Sequence, residues 1–290
     1  MLMMKSVSVF YRNTGSGIIA NTRSIEKNEF SREKMRMFET IRYEKHGAIA
    51  VVTLNRPEAG NSHTAKMGQE LTSAWNDANE DSTIRVVILT GAGDKFFCAG
   101  ADAKAMSRGE SIGPFGDIPE NFRKPVMLAI NGICAGGGFH FVWQSDFAIC
   151  AEHATFMEPH VSIGWVPLRE MMGLAERAPL GVVFRMAFMG TKERMSAQRA
   201  YDLGIVTEVV AAERLMERAM EIAGCIAEQA PLAIEATKEI LHRAFELRFA
   251  HRKELDHGIL LREARTHHSE DYREGPRAFA ERRKPQWKGK

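Results

Sequence analysis

From Phe38 onward the order of apolar and polar residues is regular enough to name elements. The run FETIRYEKHGAIAVVTL alternates apolar and polar side chains around His46-Gly47, which predicts two strands joined by a tight turn. NRPEAGN then breaks the strand with Pro57 and Gly60. Met67, Leu71, Trp75 and Ala78 recur at helical spacing, so TAKMGQELTSAWNDANED reads as a helix with one buried face. IRVVILTG is a continuous apolar run, the mark of a strand covered on both faces. Strand, helix and strand make a βαβ unit, and such units build right-handed parallel sheets. A second unit starts at KPVMLAI, passes through the apolar helix GFHFVWQS and ends in the strand DFAICAE. SAQRAYDLG, AERLMERAMEIAGCIAEQ and APLAIEATKEILHRAFEL follow as helices, ahead of a long charged tail. The fold class is therefore α/β, with no repeat of fixed period.

The first 36 residues differ: they are polar, scattered with Ser, Asn and Gly, and lack the apolar core of a secretory signal. They read as a flexible N-terminal extension, with Met35 or Met37 as an alternative start of translation. A chain of 290 residues, 44% hydrophobic and 26% charged, fits a soluble globular protein of one large domain or two modest ones. Apolar runs such as VVILTG and VMLAI fall far short of the ~20 residues of a membrane span, so no membrane partner is expected. A net charge of +2 gives no general surface for nucleic acid. Cys98, Cys134, Cys150 and Cys225 contain no CxxC pair and read as reduced thiols of a cytoplasmic protein. His267-His268 and the other histidines lack a ligand set at metal spacing, so no metal site is expected.

Two loops stand out by composition. FFCAGAD, Phe96 to Asp102, and ICAGGGFH, Ile133 to His140, each follow a buried strand run and sit where open α/β folds place their ligands. Small residues leave backbone N–H groups unobstructed, and two such groups converging on one point can hold a carbonyl oxygen that turns negative during reaction. The same glycines also serve tight turns and close helix–strand packing, so composition alone leaves both readings open. Neither loop has GxGxxG or GxxxxGK[ST] spacing, which argues against dinucleotide or nucleoside triphosphate binding.

Taken in order, VVTLNRPEAGNSHTAKM, VVILTGAGDKFFCAGADAKAM, KPVMLAINGICAGGGFHFVWQSDFAICAEHATF, SAQRAYDLGIVTEVV and EGPRAFAERRKPQWKG resemble the crotonases, the enoyl-CoA hydratase/isomerase superfamily. The resemblance runs from Phe38 to Lys290 and implies a crotonase-like ββα spiral core over residues 37–225. It also implies a helical C-terminal trimerisation region over residues 226–290, in a homotrimer or dimer of trimers. The implied substrate is an acyl-CoA; coenzyme A is part of that substrate, and no cofactor is permanently bound. By the same resemblance the backbone N–H groups of Ala101 and Gly137 form an oxyanion hole for the thioester carbonyl. The family's adenine and phosphate contacts map to the loop from Arg56 to Ala59, to Ala99, and to Phe279 and Arg282.

Hydratases of this family resemble one another in carrying a glutamate directly after GGGx and a second in FxxPE. Here those positions are His140 and His160, so both carboxylates are absent. An imidazole of pKa ~6.5 suits general acid–base work, which makes His140 and His160 the candidate catalytic pair. Such a pair predicts a rate profile that breaks near pH ~6–7. Glu158 precedes His160 by two residues; in an extended segment the two share a face, and Glu158 then orients the ring. For His140 a second reading stays open: a core histidine in FHFVW whose nitrogens are bound by backbone groups. His63, Asp117, Glu120 and Glu170 are further candidates. SIGWVPLREMMGLAERA carries Trp165, Leu168, Arg169 and Glu170 where related hydratases have small residues, predicting a reshaped acyl pocket. The Gly- and Pro-rich loop SRGESIGPFGDIPENF, Ser107 to Phe122, is read as mobile. Three activities fit: a CoA-thioester lyase or isomerase, a hydrolase or decarboxylase acting through the same enolate, and a silent acyl-CoA-binding protein.

Overall fold

The computed structural model describes residues 38–247 and 270–286. The extension 1–36 and His267-His268 lie outside the described residues. Strands β1 (Ile41–His46) and β2 (Ile49–Leu54) form the expected antiparallel hairpin, turning at Gly47 with φ +62°. From β2 the sheet continues in parallel through β3 (Val86–Gly91), β5 (Val126–Ile130), β7 (Phe147–Ala151) and β10 (Glu208–Val210). A second, smaller sheet has the order β4 (Phe96–Cys98), β6 (Ile133–Ala135), β8 (Thr155–Met157), β9 (Met195–Ser196).

The two sheets are the sides of a spiral. β3 leads to β4 and then helix α2 (Ala103–Ser107); β5 leads to β6 and α3 (Gly138–Gln144). β7 leads to β8, a 3-10 turn at His160–Ile163, and α4 (Arg169–Leu174). The long strands are legible in the sequence because both their faces are buried. The second strands are three residues each, too short to show a period, and open the segments whose glycines dominate the eye.

Helix α1 (Ala65–Glu80) begins at Thr64, whose hydroxyl accepts from the Met67 N–H, and buries Met67, Leu71, Ala74, Trp75 and Ala78 between the sheets and the following loop. The opposite face of the large sheet, with Val86, Ile88, Met127 and Ile149, is covered by Leu215, Ala219 and Ala223 of α7 (Leu215–Ala227). Helices α5 (Leu180–Met189) and α6 (Ala197–Asp202) fill the segment between α4 and β10, and α8 (Pro231–Leu247) follows α7. Cys98, Cys134 and Cys150 are buried, Cys225 is exposed, and all four are free.

The loop after α2 departs from expectation. Instead of standing free it packs along α1: the Trp75 indole N–H donates to the Gly116 carbonyl at 2.9 Å, and a Cβ on Gly68 would run into the Pro114 carbonyl. Gly113 and Gly116 make this path at φ +63° and +70°, where a side chain is disfavoured.

The last described helix, α9 (Glu270–Ala280), returns to the core and packs against α2 and the 160–163 turn. Its closest approach is at Gly275, where a Cβ would collide with the Ile163 carbonyl. Gly275→Ala is expected to destabilise the fold by ~1–3 kcal/mol, the usual cost of overpacking, read as a lower urea midpoint at unchanged slope.

Candidate active site

β4 runs into Ala99-Gly100-Ala101-Asp102, with Gly100 at φ +89°. His63 bridges this loop in parallel register: its N–H donates to the Gly100 carbonyl at 2.8 Å, and its carbonyl accepts from the Asp102 N–H at 2.9 Å. Ala101 lies between those two bonds, so its own N–H faces away from His63, and it donates to no acceptor among the described residues. The Asp102 carboxylate anchors the loop by accepting from the N–H groups of Lys104 and Ala105 and from Arg56 Nη2 at 2.9 Å.

β6 runs into Gly136 and Gly137, the latter at the N-terminus of α3. The Gly137 N–H likewise has no acceptor among the described residues. A Cβ on Gly100 would sit 3.0 Å from the Gly137 nitrogen, and one on Gly137 would sit 2.6 Å from the Phe115 ring. The two loops thus meet backbone to backbone. Ala101 and Gly137 line a cavity of about 470 Å³, shared with Phe115, Asp117, His140, His160, Trp165, Arg169 and Glu170.

His140 is only 9% exposed, yet no backbone group satisfies its ring. Nδ1 lies 3.1 Å from Asp117 Oδ1, and Nε2 lies 3.1 Å from Glu170 Oε1. Ionised carboxylates only accept, so both nitrogens donate and the ring is an imidazolium. Burial by itself would lower its pKa; hydrogen bonds and charge from Asp117 and Glu170 override that and push it up to about 9. The reading of His140 as a core histidine held by backbone groups is therefore replaced by a histidine clamped between two carboxylates.

Glu158 and His160 also meet, but by a different route from the one the spacing suggests. Pro159 is in the α region and His160 opens a 3-10 turn, so the segment is not extended. The turn brings Glu158 Oε1 to both the His160 backbone N–H, at 3.0 Å, and its Nδ1. Glu158 is fully buried, and its second oxygen has no partner among the described residues. Burial would lower the His160 pKa; the hydrogen bond and charge of Glu158 override it and hold it above the ordinary value.

Glu170, at the start of α4, connects the two histidines. Its Oε1 is 3.1 Å from His140 Nε2 and 3.9 Å from His160 Nε2. Burial would raise its pKa, but the His140 hydrogen bond and the charges of both imidazoles hold it below the usual carboxylate value. Asp117 is lowered in the same way, with burial opposed by His140. Sequence reasoning gave these two carboxylates no more weight than His63 or Glu120. His63 is fully buried behind the cavity, its ring stacked at 4.1 Å on Phe115, which also stacks on His140 at 4.6 Å. Burial pushes the His63 pKa down to about 4, so it is neutral. Glu120 is exposed and does not line the cavity. The stack of Trp165 on Tyr272 of α9, with centroids 5.3 Å apart, carried no signal in the sequence, because it joins residues more than a hundred positions apart.

The residues mapped to coenzyme A are only partly brought together. Ala99 donates its N–H to the Gly60 carbonyl at 2.9 Å, which sets it beside the short 3-10 turn ending at Ala59. The Arg56 guanidinium is committed inside the protein, to the Ser62 carbonyl and Asp102. Phe279 is 62% exposed near the end of α9 and Arg282 follows at φ +54°; no hydrogen bond or ring contact ties either to Arg56, Ala59 or Ala99 among the described residues.

Comparison with known proteins agrees with this architecture. A family profile described as enoyl-CoA hydratase/isomerase matches residues 44–290. The chain belongs to this family. A carnitinyl-CoA dehydratase of Proteus mirabilis is 40% identical over 264 residues, covering 88% of this chain and all of that protein. The crystal structure of a carnitinyl-CoA hydratase from Mycobacterium avium matches with a TM-score of 0.79 at 32% identity, covering 87% of this chain and 99% of that one. That of a methylmalonyl-CoA decarboxylase matches at 0.77 and 30% identity, covering 88% of this chain and all of that one. As an enoyl-CoA hydratase/isomerase family member the chain has the α/β spiral of its relatives, and no helix among its described residues is long and apolar enough to cross a membrane.

Proposed function

We propose that this chain is a CoA-thioester hydratase or dehydratase in which Glu170 and His160 do the acid–base work of the two glutamates absent at positions 140 and 160. One observation carries the reading: Glu170 Oε1 lies within 4 Å of both His140 Nε2 and His160 Nε2, in a cavity also lined by Ala101 and Gly137, whose N–H groups have no acceptor among the described residues.

In the hydration direction the thioester oxygen accepts hydrogen bonds from Ala101 and Gly137. Glu170, ionised at neutral pH, takes a proton from water as the water oxygen bonds to the β-carbon and the C=C π bond opens. The electron pair passes to the enolate oxygen, where the two N–H groups offset its charge. His160, protonated and oriented by Glu158, then gives its Nε2 proton to the α-carbon. The proton on Glu170 returns to His160 across their 3.9 Å gap and resets the site. His140 donates to Glu170 throughout and fixes its position.

The names of the relatives support this class of reaction, hydration or dehydration of an acyl-CoA. Turnover of crotonyl-CoA, followed by loss of the enoyl-thioester absorbance, tests it directly. Hydration by the wild type supports the reading; acyl-CoA binding with no turnover sinks it in favour of a hydrolase, a decarboxylase or a silent binder. Self-association into a homotrimer or dimer of trimers belongs to the same proposal. Leu180, Phe184 and Phe188, 56%, 50% and 74% exposed, form an apolar stripe along α5 that a second copy would cover. Sedimentation equilibrium is expected to give three or six chains, and Phe188→Glu to shift the mass toward one.

A further inference from the structure

Ala101 takes its place from a neighbouring segment of the chain. Residues 60–63 run beside residues 99–102 and bond to them in step. The Ala99 N–H donates to the Gly60 carbonyl at 2.9 Å, the His63 N–H to the Gly100 carbonyl at 2.8 Å, and the Asp102 N–H to the His63 carbonyl at 2.9 Å. Ala101 sits inside this ladder and lines the cavity, its own N–H without an acceptor among the described residues.

The Arg56 guanidinium spans the two segments from outside the cavity. Its Nη1 donates to the Ser62 carbonyl at 2.7 Å, and its Nη2 donates to Asp102 Oδ2 at 2.9 Å. Ser62 Oγ closes the triangle, 3.3 Å from both Nη1 and Asp102 Oδ2. Asp102 Oδ1 is used as well: it accepts from the N–H groups of Lys104 and Ala105 and so caps α2. Asp102 is the residue after Ala101, and Ser62 the residue before His63, so the clasp grips the ladder at the level of the donor. Arg56 is fixed in turn, its backbone N–H donating to Oδ1 of the buried Asn61 at 3.0 Å while Asn61 Nδ2 donates to the Ala92 and Phe96 carbonyls. The side chains of Arg56 and Asp102 are 21% and 11% exposed. Burial would raise the Asp102 pKa, but hydrogen bonds from the Ala105 N–H and Arg56 hold it below the usual carboxylate range, so the pair is ionised. Arg56, Ser62 and Asp102 do not line the cavity, so none is placed to touch a substrate there.

We infer that Arg56 and Asp102 are positioning residues for the oxyanion hole, clasping residues 60–63 to residues 99–102 so that the Ala101 N–H is held toward the thioester oxygen. A guanidinium suits this task because its planar fork serves two acceptors through separate nitrogens, which the point charge of an ammonium does not. Misplacing a reacting group or its partner by ~1 Å can cost ~100-fold in rate, so a clasp at one remove from the chemistry still governs turnover. The inference rests on the proposal that the cavity takes an acyl-CoA. It moves Arg56 from the coenzyme, where the resemblance maps it, to the aim of one donor.

The test reads that donor through the carbonyl stretch of bound butyryl-CoA, isotope-labelled at the thioester carbon. Butyryl-CoA cannot be hydrated, and hydrogen bonds to its oxygen lower the stretching frequency that infrared difference spectra isolate. Wild type, Arg56→Gln, Arg56→Lys and the double variant Arg56→Gln/Asp102→Asn are compared, with kcat and KM for crotonyl-CoA and Kd for butyryl-CoA, CoA and dephospho-CoA. Arg56→Gln is expected to move the stretch back toward its value in water and to lower kcat by ~10–100-fold, with KM and every Kd within about three-fold. Arg56→Lys is expected to fall between wild type and Arg56→Gln, and it decides the matter if Arg56→Gln does not fold. The double variant is expected to be scarcely worse than Arg56→Gln, because both changes open one clasp. An unchanged stretch and kcat in the folded Arg56 variants overturn the inference. So does weaker binding of CoA but not of dephospho-CoA at unchanged kcat, because Arg56 then holds the phosphate. If wild type shifts the butyryl-CoA stretch yet leaves crotonyl-CoA unhydrated, the hydratase reading falls, and the infrared comparison still decides the clasp. A wild type that binds no butyryl-CoA removes both.

Discussion

Glu170→Gln is expected to lower crotonyl-CoA hydration by about two to four orders of magnitude, the usual contribution of one general base, while acyl-CoA still binds. The substitution keeps the shape of the side chain and its hydrogen bond from His140 Nε2. Among the described residues it removes the one cavity-lining carboxylate placed within 4 Å of both imidazoles, as Glu170 Oε1 is at 3.1 and 3.9 Å. His160→Ala is expected to cost a similar factor by removing the proton donor to the α-carbon. If the two residues act as a unit, the double variant is scarcely worse than either single one, since losses within one acid–base relay do not add. Stopped-flow or steady-state absorbance at saturating substrate measures both. A Glu170→Gln enzyme within three-fold of the wild type would overturn the assignment and return the chemistry to the histidines alone.

The second large effect concerns pH. His140 donates to Asp117 and Glu170 together only while it is protonated, and those two carboxylates push its pKa up to about 9 against an ordinary value of ~6.5. The log of kcat/KM is therefore expected to fall as pH rises through about 9, well above the break near pH ~6–7 that an unperturbed imidazole pair would show. Asp117→Asn removes one of the two carboxylates that raise this pKa, and moves the alkaline limb down toward neutrality. Stability follows the same sign. A histidine whose folded pKa lies above its unfolded value stabilises the fold fully below ~6.5, and that contribution is lost as pH rises toward 9. The variant is thus expected to lose stability at pH 6 and little at pH 10, which chemical denaturation at the two pH values measures. An unchanged rate profile would mean that the His140 charge plays no part in turnover.

Much of this protein is readable without its coordinates. The β1–β2 hairpin, helix α1, the long strands β3, β5 and β7, and three buried thiols all follow from residues whose own burial sets a local period. The Gly/Ala loops also gave themselves away, because a bare backbone is needed where Gly100 and Gly137 meet, and only small residues allow that approach. The sequence singles out His140 and His160 by resemblance alone, and both line the cavity.

What those histidines are chemically was beyond the sequence. Asp117 reaches His140 from 23 positions upstream and Glu170 from 30 downstream, and together they turn a residue of an apolar run into an imidazolium. The loop holding Asp117, read as mobile, is packed on α1 by a Trp75 hydrogen bond 41 positions away. The committed Arg56 and the Trp165–Tyr272 stack have the same character. Periodicity reports whether a side chain is buried, because burial repeats with the helix or strand that carries it. A proton's affinity depends instead on which charges the fold places within hydrogen-bonding reach, and no local pattern records that distance. The sequence by itself thus determined the scaffold and several residues of the candidate site, whereas only the tertiary structure decided which groups there carry charge.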